Sequence, residues 1–218
     1  MLINTYDDMQ VHYIDRTPIS SELIQFACDI CMKKADDISR KSVSRTLAQN
    51  LIHSGHTSVL EHANMVLLAR GISRSLLAQI TRHRTFSFTS ASQHYQNYSD
   101  YPMTISPWYS ENKTFRNALN TAMNYYTQLI EEGVPPEEAR QVLPNASTVN
   151  LLITGNIRAF LNFLEQRLCE RNVFEMKLFA NKVHSICKTW CPEVFTDFGP
   201  PCKSTGQCNQ GKLSCKNG

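Results

Sequence analysis

Residues 146–167 read ASTVNLLITGNIRAFLNFLEQR, and they decide the class of fold. Ala146 to Thr154 reads as a strand, and the chain from Asn156 to Lys188 is helical in pattern with one interruption. A strand that hands over to helices in this way predicts an α+β (mixed α/β) fold. The expected arrangement is a single domain in which a central sheet is flanked by helices.

Working upstream, the clearest helix is 114–131, where Phe115, Ala118, Leu119, Ala122, Met123, Tyr126, Leu129 and Ile130 share a face. Gly133, Pro135 and Pro136 end it, and Pro136-Glu137-Glu138 begins a short helix that must stop before Pro144. Residues 85–114 are rich in Ser, Thr, Tyr, Asn and Pro and read as a long active-site loop. Ahead of it, Ile72, Leu76 and Ile80 predict a helix that runs to Arg82 and ends in the triplet Arg82-His83-Arg84. Residues 64–69 (NMVLLA) read as a buried strand, 43–54 and 19–35 as helices, and 1–14 as short strand pieces. There is no internal repeat.

Composition narrows the function. The chain has 218 residues, 42% hydrophobic and 19% charged, which excludes a disordered protein. Length and composition suggest one domain over 1–200 and a Cys/Lys/Gly-rich tail over 201–218. Its net charge of +3 is too mild for a polyanion coat, so anion binding must come from local clusters. No apolar run reaches the roughly 18 residues a membrane span needs, and the N-terminus does not resemble a signal peptide, so the expected location is the cytoplasm. The eight cysteines then read as reduced thiols. Cys202, Cys208 and Cys215 are too loosely spaced to single out a metal knuckle.

Three clusters can carry chemistry. Arg82-His83-Arg84 precedes a loop bearing Thr85, Ser87, Thr89, Ser90 and Ser92, and forked guanidiniums with hydroxyl donors suit a phosphate. On a helix, Gln79, Arg82 and His83 would face the same way; the plain alternative is a solvated basic helix end. His53, His56 and His62 with Glu61 could be metal ligands, but without HExxH or a third ligand at a diagnostic spacing no metal is expected. Arg158 and Asn162 stack on one helix face, whereas Arg167 lies about 140° round from Asn162 and points elsewhere. Cys28-x-x-Cys31 lacks a redox context, and no glycine-rich phosphate loop occurs.

Four blocks together resemble the flavin-dependent thymidylate synthases. They are His56-Thr57-Ser58-Val59-Leu60-Glu61-His62, then Arg82-His83-Arg84 followed by Ser92, then Ala139-Arg140-x-x-Leu143-Pro144, then Asn156-x-Arg158 with Asn162, Phe163 and Arg167. Glu175 matches the acidic residue of the following helix. The resemblance implies reductive methylation of dUMP to dTMP, with FAD reduced by NADPH and methylenetetrahydrofolate as carbon donor. It implies a homotetramer with shared active sites and no nucleic-acid or membrane partner. It assigns Ser58, Arg82, His83, Arg84, Ser90, Asn156, Arg158 and Asn162 to FAD. Gln79, Arg82, Ser90, Ala91, Ser92, Gln93, His94 and Arg140 are assigned to dUMP, and Arg167 is the active-site residue at the uracil.

The chain departs from the family at two loop positions, with Ser90 for a common Glu and His94 for a common Arg. Losing a permanently charged fork makes phosphate binding weaker and more dependent on pH. Two other readings follow from the residues: a relative acting on another pyrimidine nucleotide, and a nucleic-acid-binding protein using Tyr95, Tyr98 and Tyr101 to stack bases. Asn172-Val173-Phe174-Glu175-Met176-Lys177 also departs from the family's usual string, which alters the packing beneath Arg167.

Overall fold

Short strands and helices are interleaved along the chain. The computed structural model describes residues 2–32, 40–204 and 206–215. In chain order the elements are β1 (Ile3–Thr5), β2 (Gln10–Arg16), α1 (Ser20–Cys31), α2 (Arg45–His53), β3 (Asn64–Ser73) and α3 (Arg74–Ile80). Then come β4 (Ser87–Ser90), β5 (Met103–Ile105), α4 (Lys113–Glu131), α5 (Pro136–Ala139) and β6 (Thr148–Asn156). The chain closes with α6 (Ile157–Arg167), α7 (Phe174–Trp190), α8 (Pro192–Phe195) and α9 (Pro201–Ser204). The mixed α/β class expected from 146–188 holds, and the interruption in that helical stretch falls at 168–173. Residues 33–35 of the first expected helix lie outside the described residues.

The larger sheet has the order β2-β3-β6-β4, and β1 pairs in parallel with β5, with Ile3 opposite Met103 and Thr5 opposite Ile105. Burial alternates along β3 and β6, as a half-buried strand requires: Met65, Leu67 and Ala69 are inside, and so are Val149, Leu151 and Ile153. The chain groups into two compact units, and each is assembled from separated stretches, so neither is a contiguous piece of the sequence.

One unit comprises Met1–His12, Leu68–Arg82 and Phe88–Ile153. Its core joins Leu119, Met123 and Tyr126, the inner face of α4, to Tyr98, Met103, Ile105 and Ala139. The sequence reading treats 85–114 as one loop, but β4 and β5 lie inside it. All three β5 residues are buried against a partner strand about a hundred residues upstream, a pairing that local composition cannot reveal. Likewise the expected helix over 72–82 is shorter at both ends. Ile72 still belongs to β3, which passes Gly71 at φ 70°, a conformation only glycine adopts freely. The Ser73 hydroxyl accepts the Leu76 N–H at 2.9 Å, which fixes the start of α3 at Arg74. Because α3 ends at Ile80, Arg82 and His83 lie past it, and no helical stacking aligns them with Gln79.

The other unit comprises Tyr13–Leu67, His83–Ser87 and Thr154–Gly218. Here α6 buries Ile157, Phe160, Leu161, Phe163 and Leu164. Phe160 meets Trp190 edge-on at 5.9 Å, and Phe163 meets Phe179 in the same way at 5.8 Å. The buried Trp190 indole donates to the Ser20 hydroxyl at 2.7 Å, which ties α7 to α1. Burial raises the thiols of Cys187 and Cys191, the latter to about 12, so neither is a nucleophile at neutral pH. Among the described residues no helix is long and apolar enough to cross a membrane.

Candidate functional site

The turn after α6 holds a guanidinium between two sequence blocks. Arg167, the last residue of α6, donates from Nε to His83 Nε2 at 2.9 Å. Its Nη1 also lies 3.4 Å from Asn172 Oδ1. An arginine only donates, so His83 Nε2 must be unprotonated here, and the neutral ring carries its proton on Nδ1. Burial, helped by the Arg167 charge, lowers the His83 pKa to about 4. The Phe163 ring packs edge-on at 5.0 Å and Phe86 lies beyond it. The imidazole therefore adds no positive charge at neutral pH. It orients Arg167, whose own pKa is lowered by burial.

Asn172 completes this corner. Its carboxamide nitrogen donates to the carbonyls of Gln166 at 2.8 Å, Cys169 at 3.0 Å and Arg167 at 3.3 Å, stapling the 168–173 turn while its oxygen faces the guanidinium. The sequence reading marks this stretch as altered but does not find the staple, since a lone asparagine carries no spacing signal. Glu175, at the start of α7, is 4% exposed.

On another side of α6, Arg158, Leu161, Asn162 and Glu165 recur at helical spacing and line a cavity of about 660 Å³. Gln49, Ile52 and His53 of α2, together with Thr57, line it as well, and so do Asp197, Lys203 and Ser204. Arg158 is ion-paired with Glu61, which joins the histidine-rich block to the Asn156-x-Arg158 block. The divergence of Asn162 and Arg167 round the helix is as expected: Asn162 faces this cavity and Arg167 faces His83. Asn156 caps α6, its Oδ1 accepting the Ala159 N–H at 2.9 Å.

Ser58 lines a smaller, mostly apolar pocket with Phe26, Ile30 and Cys31, and its neighbour Thr57 is the residue on the larger cavity. Arg84 is exposed. Among the described residues no three His, Cys, Asp or Glu side chains group closely enough to hold a metal ion.

In the first unit, the loop that bears the expected nucleotide-binding residues is held at three points. The Ala91 N–H donates to the Asn150 carbonyl of β6 at 3.2 Å. Arg74 Nη2 reaches the Ala91 carbonyl and the Tyr98 hydroxyl, both at 3.0 Å. His94 Nδ1 lies 3.8 Å from a Glu137 carboxylate oxygen on α5, the short helix that leads into Arg140. This brings Ser90–His94 towards Arg140, whose Nε donates to the Glu137 carbonyl at 3.0 Å. Gln79 lies on α3 and Arg82 is exposed just beyond it. The three-tyrosine stacking surface fails. Tyr98 is fully buried, its N–H donates to the Tyr126 hydroxyl at 3.0 Å, and Tyr101 stacks on it at 4.2 Å, leaving only Tyr95 open.

Comparison with known proteins finds similarity over most of the chain. A family model described as Thymidylate synthase complementing protein matches residues 12–193. The flavin-dependent thymidylate synthase of Geobacter sulfurreducens is 32% identical over 218 aligned residues, 95% of this chain and 94% of that protein. The protein of the same name from Sulfolobus acidocaldarius is 37% identical over 161 residues, 72% of this chain and 62% of that one. Among solved structures, the UMP/dUMP methylase PolB from Streptomyces cacaoi, bound with 5-Br dUMP, shares the fold with a TM-score of 0.76. That match is at 22% identity and covers 91% of this chain and 98% of the other.

Proposed function

The chain belongs to the flavin-dependent thymidylate synthase family, and from that premise we propose that it converts dUMP to dTMP with FAD as cofactor, methylenetetrahydrofolate as carbon donor and NADPH as reductant. The observation that carries this reading is the meeting of two family blocks 84 residues apart, where Arg167 is held by His83. A half-buried guanidinium oriented from Nε presents the fork of its Nη groups in a fixed direction, as recognition of a polar ring edge requires. Flavin, when bound, supplies the hydride chemistry. The protein's own task is then to bind, orient and neutralise.

Arg167 polarises the uracil and favours loss of its N3 proton. The cavity beside Arg158 and Asn162 fits part of a flavin nucleotide: its volume is that of a ligand pocket, Asn162, Thr57, Lys203 and Ser204 offer polar groups to a nucleotide, and Ile52, Leu161 and Phe198 supply apolar walls. Gln79, Arg82, Ser90–His94 and Arg140 take dUMP, with Arg140 and His94 at its phosphate. Glu137, 3.8 Å from His94, brings a carboxylate to this loop, where the family commonly carries one at the position of Ser90. A homotetramer with shared sites and a cytoplasmic location belong to the same reading.

The test is spectroscopic. Purified protein should show a flavin spectrum that NADPH bleaches anaerobically, and dUMP with methylenetetrahydrofolate should restore the colour and yield dTMP. A colourless protein that FAD cannot reconstitute overturns the proposal.

A further inference from the structure

The cavity beside Arg158 is closed in part by chain that lies outside the family-matched residues 12–193. That stretch is anchored. Val194 and Phe195 are buried, the Phe195 carbonyl lies 2.9 Å from His184 Nε2, and Asp197 is held from α2 by Gln49 at 3.1 Å and Arg45 at 3.5 Å. From this fixed point the backbone turns at Pro200, whose carbonyl accepts the Lys203 N–H at 2.8 Å, and α9 sets Lys203 and Ser204 on the cavity wall. The stem of Lys203 lies alongside Gly199.

The charges on the wall are unevenly committed. Arg158 is neutralised by Glu61, and Asp197 by Arg45. Glu165 is exposed, and among the described residues no carboxylate pairs with Lys203. The cavity thus presents an ammonium with no carboxylate partner among the described residues, next in sequence to Ser204, whose hydroxyl rests on the Pro200 carbonyl at 3.4 Å and can turn to a ligand, with Asn162 and Thr57 as further polar groups. An ammonium with a neighbouring hydroxyl is a phosphate-binding pair.

We propose that Lys203 and Ser204 bind a phosphate of the flavin nucleotide, so that the C-terminal segment supplies a grip on the cofactor that the family-matched region lacks. The inference rests on the reading that this cavity takes FAD. It makes Lys203 a cofactor-binding residue that discriminates phosphorylated from unphosphorylated flavin.

The experiment measures equilibrium binding of FAD and of riboflavin to apoprotein, by quenching of flavin fluorescence, for wild type, Lys203→Ala, Lys203→Glu and Lys203→Arg. Loss of one charge-assisted contact should weaken FAD about tenfold in Lys203→Ala and more in Lys203→Glu, with Lys203→Arg near wild type. Riboflavin, which has no phosphate, should bind all four alike. Lys203 is exposed, so unchanged melting temperatures separate a binding effect from a folding one. FAD affinity within about twofold of wild type in both Lys203→Ala and Lys203→Glu overturns the inference, and so does an equal loss for riboflavin. Wild-type protein that binds no FAD overturns the underlying reading as well, a result distinguishable from failure of the Lys203 contact alone.

Discussion

Arg167 and His83 are joined by a hydrogen bond of 2.9 Å in which the imidazole can only accept. The pair couples the orientation of a half-buried cation to the protonation state of a buried ring. Arg167→Ala should abolish dTMP formation while leaving FAD bound, as read by product assay and flavin absorbance on the same sample. Retained turnover would show that Arg167 is not the group at the uracil. Arg167→Lys should also be inactive, since a single ammonium cannot reproduce the fork shared between His83 and Asn172.

The depressed His83 pKa makes stability depend on pH in one direction. Above its ordinary value of 6.5 the ring is neutral in both folded and unfolded chains. Below it the unfolded chain takes up a proton that the folded protein refuses until about pH 4. This contribution is therefore full above pH 6.5 and is lost as the pH falls towards 4. Melting temperature across this window should fall more steeply in wild type than in His83→Gln. Parallel curves would mean that the ring does not carry the effect.

Asn172→Ala should loosen the turn that seats Arg167. With its donated bonds lost, each worth about 1 kcal/mol net, stability should drop by about 1–3 kcal/mol in denaturant. The kcat should fall by about tenfold, roughly the cost of a misplaced catalytic group short of its removal, with FAD affinity unchanged. An unaltered kcat would leave Asn172 a purely structural staple.

Gly155 packs against the Phe86 ring so closely that a Cβ there would overlap it. Phe86 is 8% exposed and wedged against Phe160 at 4.9 Å, so it has no room to retreat. Gly155→Ala should cost about 1–3 kcal/mol through overpacking, measured as a shift in denaturant midpoint. In a Phe86→Ala background the same change should cost far less, and strict additivity of the two would argue against the clash.

His94→Arg should strengthen dUMP binding, because a guanidinium offers a charged fork to a phosphate. Titration of wild type and variant with dUMP checks this. Identical affinities would remove His94 from the phosphate site.

Much of this architecture is legible in the residues, and the gaps have physical causes. The α4 stripe and the strand-to-helix passage at β6–α6 repeat at their own periods, so spacing alone reveals them. The divergence of Asn162 from Arg167 follows from about 100° of rotation per residue. By contrast, β5 depends on β1, and nothing within 85–114 announces that partner. The neutral state of His83 depends on Phe163 and Arg167, residues far along the chain. Its block reads locally as a run of three cations, of which one is in fact an acceptor. Lys203 belongs to no motif, and only the fold puts it on a wall with Asn162.

The interleaving of the two units has a consequence for biosynthesis. The stretches Met1–His12, Leu68–Arg82 and Phe88–Ile153 are all made once Ile153 has been translated, whereas Tyr13–Leu67 must await Thr154–Gly218. At about 5–20 residues per second, the α6 partners of Phe86 and His83, namely Phe160, Phe163 and Arg167, emerge roughly 4–17 s after those residues themselves. Throughout that interval α1 lacks the Trp190 indole that meets Ser20, and α2 lacks the Asp197 carboxylate that meets Gln49 and Arg45.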